Sequence, residues 1–83
     1  MIFNFTYEYE EFFNKHVTEE NRIVDIRCYG GSPVEINADC LDLSEEVMEW
    51  LEENTKNFFY NSEDGLLDIP DQNEAMMFKL TWL

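Results

Sequence analysis

The chain reads as an α+β domain: a four-stranded, mainly antiparallel sheet with one main helix on one face, in the order β-(α)-β-β-α-β. Three observations carry this expectation. Apolar and polar residues alternate over residues 2–8, 22–40 and 76–82, the period of strands with one wet face. The period lengthens to that of a helix over about residues 44–60. Within the second of these runs stands Gly30-Gly31-Ser32, turn chemistry that permits positive φ and joins hairpin strands.

In the first run Phe3, Phe5 and Tyr7 point one way and Asn4, Thr6 and Glu8 the other. Tyr9, Phe12, Phe13, His16 and Val17 then fall at helical spacing, which predicts a short helix over about residues 9–18, in competition with a longer first strand. With that helix present, the order matches the split-βαβ, ferredoxin-like arrangement.

Residues 22–40 are expected to form a hairpin. Val24, Ile26 and Cys28 face inward from its first strand, and Val34, Ile36, Ala38 and Cys40 from its second. Pro33 opens the second strand, where it costs no ladder bond. Two cysteines are too few for a disulfide scaffold, so Cys28 and Cys40 are expected to be buried, reduced thiols.

Ser44 is placed to cap the main helix, with Glu45 and Glu46 in the first turn, where the helix dipole favours negative charge. On a helical wheel Val47, Leu51 and Phe58 gather on one side, flanked by Met48 and Phe59. Glu45, Glu46, Glu49, Glu52 and Glu53 gather on the opposite side. Residues 61–74, with Gly65, Pro70 and five acids, read as a long loop with Leu66, Leu67 and Ile69 tucked back onto the body. Met76, Phe78, Leu80 and Trp82 then alternate as a final strand.

Eighty-three residues make one small domain, spanning 1–83. Disorder is not expected despite the charge, because 45% of the residues are hydrophobic and 16% aromatic, enough to build a core. No apolar run approaches the roughly 20 residues that cross a bilayer, and the first residues lack the pattern of a signal peptide. The expected compartment is the cytoplasm of the host cell.

Charge is the feature that narrows function. Nineteen acidic residues stand against five basic ones, for a formal net charge of −14. That much like charge opposes compaction, and a strongly basic partner would offset it. The Glu row from Glu45 to Glu52 spans roughly 10 Å along a helix, with neighbours one turn apart about 5–6 Å from each other. Such a row matches the scale of phosphates along a nucleic-acid strand. The ordinary reading, a solvated helix face, competes with this. A typical soluble surface mixes signs, however, and this face has five Glu with Lys56 alone to relieve them. Asp68, Asp71 and Glu74 form a second acidic patch. Trp50, at the edge of the Glu stripe between Glu46 and Glu53, is either a core residue or an interface anchor.

Other chemistries find little support. His16 is the sole histidine, too little for a catalytic triad or a histidine-rich zinc site. The loop acids lack the ligand ladder and central glycine of an EF-hand. No phosphate-binding glycine motif occurs. Lys15, Arg22, Arg27, Lys56 and Lys79 are too few and too scattered for direct nucleic-acid binding. No cofactor, metal or catalytic residue is expected.

The expectation is therefore a non-enzymatic, stoichiometric inhibitor that mimics nucleic acid and blocks the basic groove of a nuclease, glycosylase, restriction enzyme or CRISPR effector complex, of the kind phages and mobile elements encode. Its contacts would be Glu45, Glu46, Glu49, Glu52, Glu53, Asp68, Asp71, Glu74 and Trp50. The alternatives are an immunity protein or antitoxin against a basic toxin, and a generic acidic interaction domain in which Trp50, Tyr29 or the loop hydrophobics dominate the contact. Either monomer or homodimer is compatible with the sequence.

Overall fold

The structure, a computed structural model, describes residues 1–83. It is α+β, with eight elements: β1 (Ile2–Asn4), α1 (Glu10–His16), β2 (Val17–Tyr29), β3 (Ser32–Leu43), α2 (Glu45–Asn54), β4 (Phe59–Asn61), β5 (Leu66–Asp68) and α3 (Gln72–Trp82). The strands form two antiparallel sheets rather than the expected one of four strands: a three-stranded sheet in the order β1-β5-β4, and the β2-β3 ribbon. No helix is long and apolar enough to cross a membrane.

In the small sheet Phe3, Leu67 and Tyr60 stand in register on one face. Phe3 and Leu67 are buried and Tyr60 half-buried. The core grows from this row. Phe5, Phe12, Leu43, Val47, Leu51, Ile69, Ala75 and Phe78 complete it, so all three helices contribute. Phe78 sits at its centre, with its ring centroid 5.1 Å from Phe3, 5.8 Å from Trp50 and 6.0 Å from Phe12. The opposite face of the sheet leaves Ile2 and Phe59 exposed beside Asp68.

The first strand is shorter than its alternation predicts. Asn4 Oδ1 accepts the Thr6 N–H at 3.0 Å and turns the chain. Phe5 still reaches the core, whereas Tyr7 is 86% exposed. The weakly signalled first helix is present over Glu10–His16 and buries Phe12.

Helix α2 begins where expected, with Ser44 Oγ accepting the Val47 N–H, but it ends at Asn54 and not near residue 60. Thr55 takes an extended conformation, and both its N–H and its hydroxyl donate to the Leu51 carbonyl. The chain leaves the helix there, and Phe59 enters β4 in place of the helix flank assigned to it. The expected loop 61–74 instead contains Asn61 of β4, all of β5 and the start of α3.

The final segment is a helix, not a strand. Asp71 Oδ1 accepts the N–H groups of Asn73 and Glu74 at 2.9 and 3.1 Å and opens α3. Ala75, Phe78 and Trp82 turn to the core at helical spacing, while Leu80, taken as a core-facing strand residue, is 83% exposed. The alternation of residues 76–82 coexists with a helical stripe at 75, 78 and 82, and the Asp71 cap decides between them.

The ribbon differs most from expectation. Its strands run longer than predicted, from Val17 to Leu43, yet Val24, Ile26, Cys28 and Val34 are exposed rather than inward, and every residue of 21–35 is open to solvent. Only Cys40, Leu41 and Leu43, at its base, are buried. The ribbon projects from the body and helps stretch the molecule to 51 × 26 × 20 Å.

Turn length explains why its apolar residues share no face. Gly30 and Gly31, with φ of 57° and 84°, form a two-residue turn that pairs Tyr29 with Ser32. A three-residue turn over 30–32 would have set Ile26 opposite Ile36. The observed register sets Ile26 opposite Glu35 and Cys28 opposite Pro33. One residue of slip moves a whole set to the other side. Ile26 and Cys28 thus lie on one face and Val34, Ile36, Ala38 and Cys40 on the other.

Candidate functional site

Helix α2 presents the acidic face. Val47 and Leu51 are fully buried and anchor it, and the five glutamates point the other way, all exposed. None of Glu45, Glu46, Glu49, Glu52 and Glu53 takes part in a side-chain hydrogen bond or ion pair within the chain. The ion pairs that do form are Met1 ammonium–Asp68, Arg22–Asp42 and Arg27–Asp25, all elsewhere. The face therefore forms no ion pair with the protein's own cations and is carried on a helix anchored in the core.

The second group of acids is dispersed into structural tasks. Asp71 caps α3. Both carboxylate oxygens of Glu74 accept the Lys56 N–H at 3.2 Å, tying the segment after α2 to α3. Asp68 lies on the outer face of the small sheet, 3.8 Å from the Met1 ammonium. No three His, Cys, Asp or Glu side chains converge to hold a metal ion.

Trp50 packs inward. Its ring stands edge-on to Phe78 at 5.8 Å and to Trp82 at 6.4 Å, so most of its surface serves the core. His16 is half-buried in the same aromatic group, 5.1 Å from both Phe12 and Trp82, with Nδ1 3.5 Å from Ser44 Oγ. The buried indole N–H of Trp82 has no acceptor.

Tyr60 joins the two sheets. Its hydroxyl donates to the Leu41 carbonyl at the ribbon base, while Leu41 N–H donates to the Ser62 carbonyl at 2.7 Å. Burial, and then the charge of Asp42, push the Tyr60 phenol up to about 12. Gly65 completes this junction with φ of 68°, and a Cβ there would meet Leu41 Cδ1 at 2.9 Å and Thr6 Oγ1 at 3.0 Å.

The ribbon carries a second kind of surface, which the sequence pattern does not reveal because alternation marks which residues share a face and not whether that face is covered. Ile23, Val24, Ile26, Tyr29 and Val34 are all exposed there. Its two arginines are held above their ordinary range, Arg22 by its surroundings of Cys40 and Asp42, the second of which it hydrogen-bonds at 2.7 Å, and Arg27 by its hydrogen bond to Asp25 at 2.9 Å. Cys28 is an exposed free thiol near the tip, and Cys40 a buried one at the base.

The molecule thus offers two different surfaces, an anionic helix face and a ribbon whose outer part, residues 22–38, is largely exposed, partly apolar and without net formal charge. No protein-family model matches the chain, and no curated protein or solved structure matches it either.

Proposed function

We propose that this chain is a stoichiometric protein inhibitor whose α2 carboxylates occupy the basic, nucleic-acid-binding groove of a partner such as a nuclease or CRISPR effector. One observation carries the reading: five glutamates, free of any partner within the chain, lie along one face of a helix whose other face is locked into the core. Mutual repulsion among them destabilises the helix by a few tenths of a kcal/mol per pair. A basic groove converts that repulsion into attraction. Charge complementarity of this kind speeds encounter and rejects wrong partners. Binding is steric, and no covalent step is involved. Asp68, Asp71, Glu74 and Trp50 have internal roles, so they stand at the margin of the contact and α2 at its centre.

The test is affinity capture from the host lysate with the wild-type chain and with Glu49→Lys/Glu52→Lys. The reading expects a nucleic-acid-handling protein that is released by a competing polyanion, is lost with the double variant, and associates more slowly as salt rises. Undiminished capture by the double variant, or an association rate indifferent to salt, would reject it. Recovery of a single dedicated toxin would assign the same face to an immunity protein.

A further inference from the structure

The outer edge of β2 is free, since β2 pairs only with β3. The residues along that edge are self-complementary. An antiparallel copy of the strand, related by a two-fold axis at Ile26, sets Asp25 opposite Arg27, Arg27 opposite Asp25, and Val24 opposite Cys28. We propose that the chain forms a homodimer through this edge, with β2 of one protomer against β2 of its partner and Ile26 on the symmetry axis.

Three features of the molecule support the assignment. The first is charge. Across residues 22–38 Arg22 and Arg27 balance Asp25 and Glu35, so the formal −14 resides wholly on the rest of the chain. This neutral outer part of the ribbon is where two copies can meet without bringing acidic bodies together, and the 51 Å length of the molecule holds those bodies apart.

The second is the Asp25–Arg27 pair. Arg27 Nε donates to Asp25 Oδ2 at 2.9 Å, and both side chains are largely exposed on one face of the ribbon. In the dimer each charge keeps this neighbour and gains the opposite charge of the other strand, which closes a square of alternating sign. Oppositely charged cross-strand pairs stabilise a ladder, and like charges in the same positions destabilise it.

The third is the edge itself. Ile26 N–H donates to the Asp25 carboxylate at 2.8 Å, so this backbone donor has a local acceptor that a facing strand can replace. An isolated two-stranded ribbon is marginal in water, and a four-stranded one is not. The bulge between Ile23 and Asp25 keeps the shared ladder short, so the dimer dissociates on dilution. Nothing in this assignment depends on the acidic face of α2.

Sedimentation equilibrium on the full chain tests it, with the wild type, Asp25→Arg, Arg27→Asp and the exchange Asp25→Arg/Arg27→Asp. The wild type should move with concentration from 10.0 kDa to twice that mass. Each single reversal places like charges opposite one another and should weaken association by roughly ten-fold or more. The exchange restores opposite charges across the axis and should recover wild-type association. Circular dichroism should be unchanged in all four proteins, because both side chains are exposed. A wild type that stays at monomer mass throughout, single reversals that associate as the wild type does, or an exchange variant as weak as the single reversals would each overturn the proposal.

Discussion

The small sheet and the ribbon are built from similar material and end in opposite states. Both are antiparallel, and both carry apolar residues on each of their faces. In β1 and β5 one such face meets three helices and disappears into the core, so Phe3 and Leu67 are buried. In the outer part of β2 and β3 the alternating apolar residues meet nothing, and Ile26 is 61% exposed. Alternation therefore specifies which residues share a side and leaves open whether anything covers that side. Covering comes from the helices, and all three pack over the body.

The contrast can be broken most severely in the body. Phe78→Ala removes the ring around which Phe3, Phe12 and Trp50 pack and should cost about 3–5 kcal/mol, a large part of the stability of so small a domain. Ile26→Ala, on the ribbon, should change monomer stability by no more than about 0.5 kcal/mol. Urea unfolding of the two variants measures the difference directly. Comparable losses in the dilute monomer would mean that the ribbon packs against the body.

The glycines sharpen the same comparison. Gly65→Ala sets a Cβ against Leu41 and Thr6 at positive φ and should cost about 1–3 kcal/mol. Gly31→Ala meets no atom within 4 Å and should cost only the backbone term, about 1 kcal/mol. Equal effects on thermal midpoint would show that the close contact at the junction relaxes freely.

Tyr60 tests the seam between the two regions. Tyr60→Phe removes the hydroxyl bond to the ribbon base and should lower stability by about 1 kcal/mol. Because the phenol is pushed up to about 12 in the folded chain, from an ordinary value near 10, its contribution is fully present below about pH 10 and fades as pH rises toward 12. The wild type should therefore lose its advantage over Tyr60→Phe across that window. An advantage unchanged at the alkaline end would place the hydroxyl in water.

A small effect is also expected from removing the whole outer ribbon. Asn21 and Asp39 are paired, so residues 22–38 can be replaced by an Asn-Gly turn. The shortened chain should unfold within about 1 kcal/mol of the parent, because no residue in the excised segment is buried. In the parent, at concentrations where it is monomeric, amide exchange should be fastest in this segment and slowest in β5 and α2.

Much of this architecture was legible locally. The Ser44 cap, the Glu face of α2 and the double-glycine turn each announce themselves within a few residues. Three features did not. The end of α2 depends on Thr55 turning back to the Leu51 carbonyl, where helical spacing alone would have continued to Phe58. The C-terminal segment satisfies both periods, and only the Asp71 cap, read together with Ala75 and Phe78, selects the helix. The ribbon's register hinges on whether Ser32 belongs to the turn or to the strand, a choice of one residue that inverts a face. Of the candidate site, the α2 glutamates stand as the pattern placed them, whereas Asp71 and Glu74 are occupied in holding α3, a role that appears only once α3 is recognised as a helix.

The sequence by itself determined the charge, the α+β class and the side of α2 on which its carboxylates fall, because these follow from composition and from periodicity along one element. The tertiary structure alone decided that the strands divide into a covered sheet and a bare ribbon, and that Trp50 faces the core. Those outcomes depend on which elements find one another, and the burial of apolar surface that drives that choice is nondirectional and leaves no local mark.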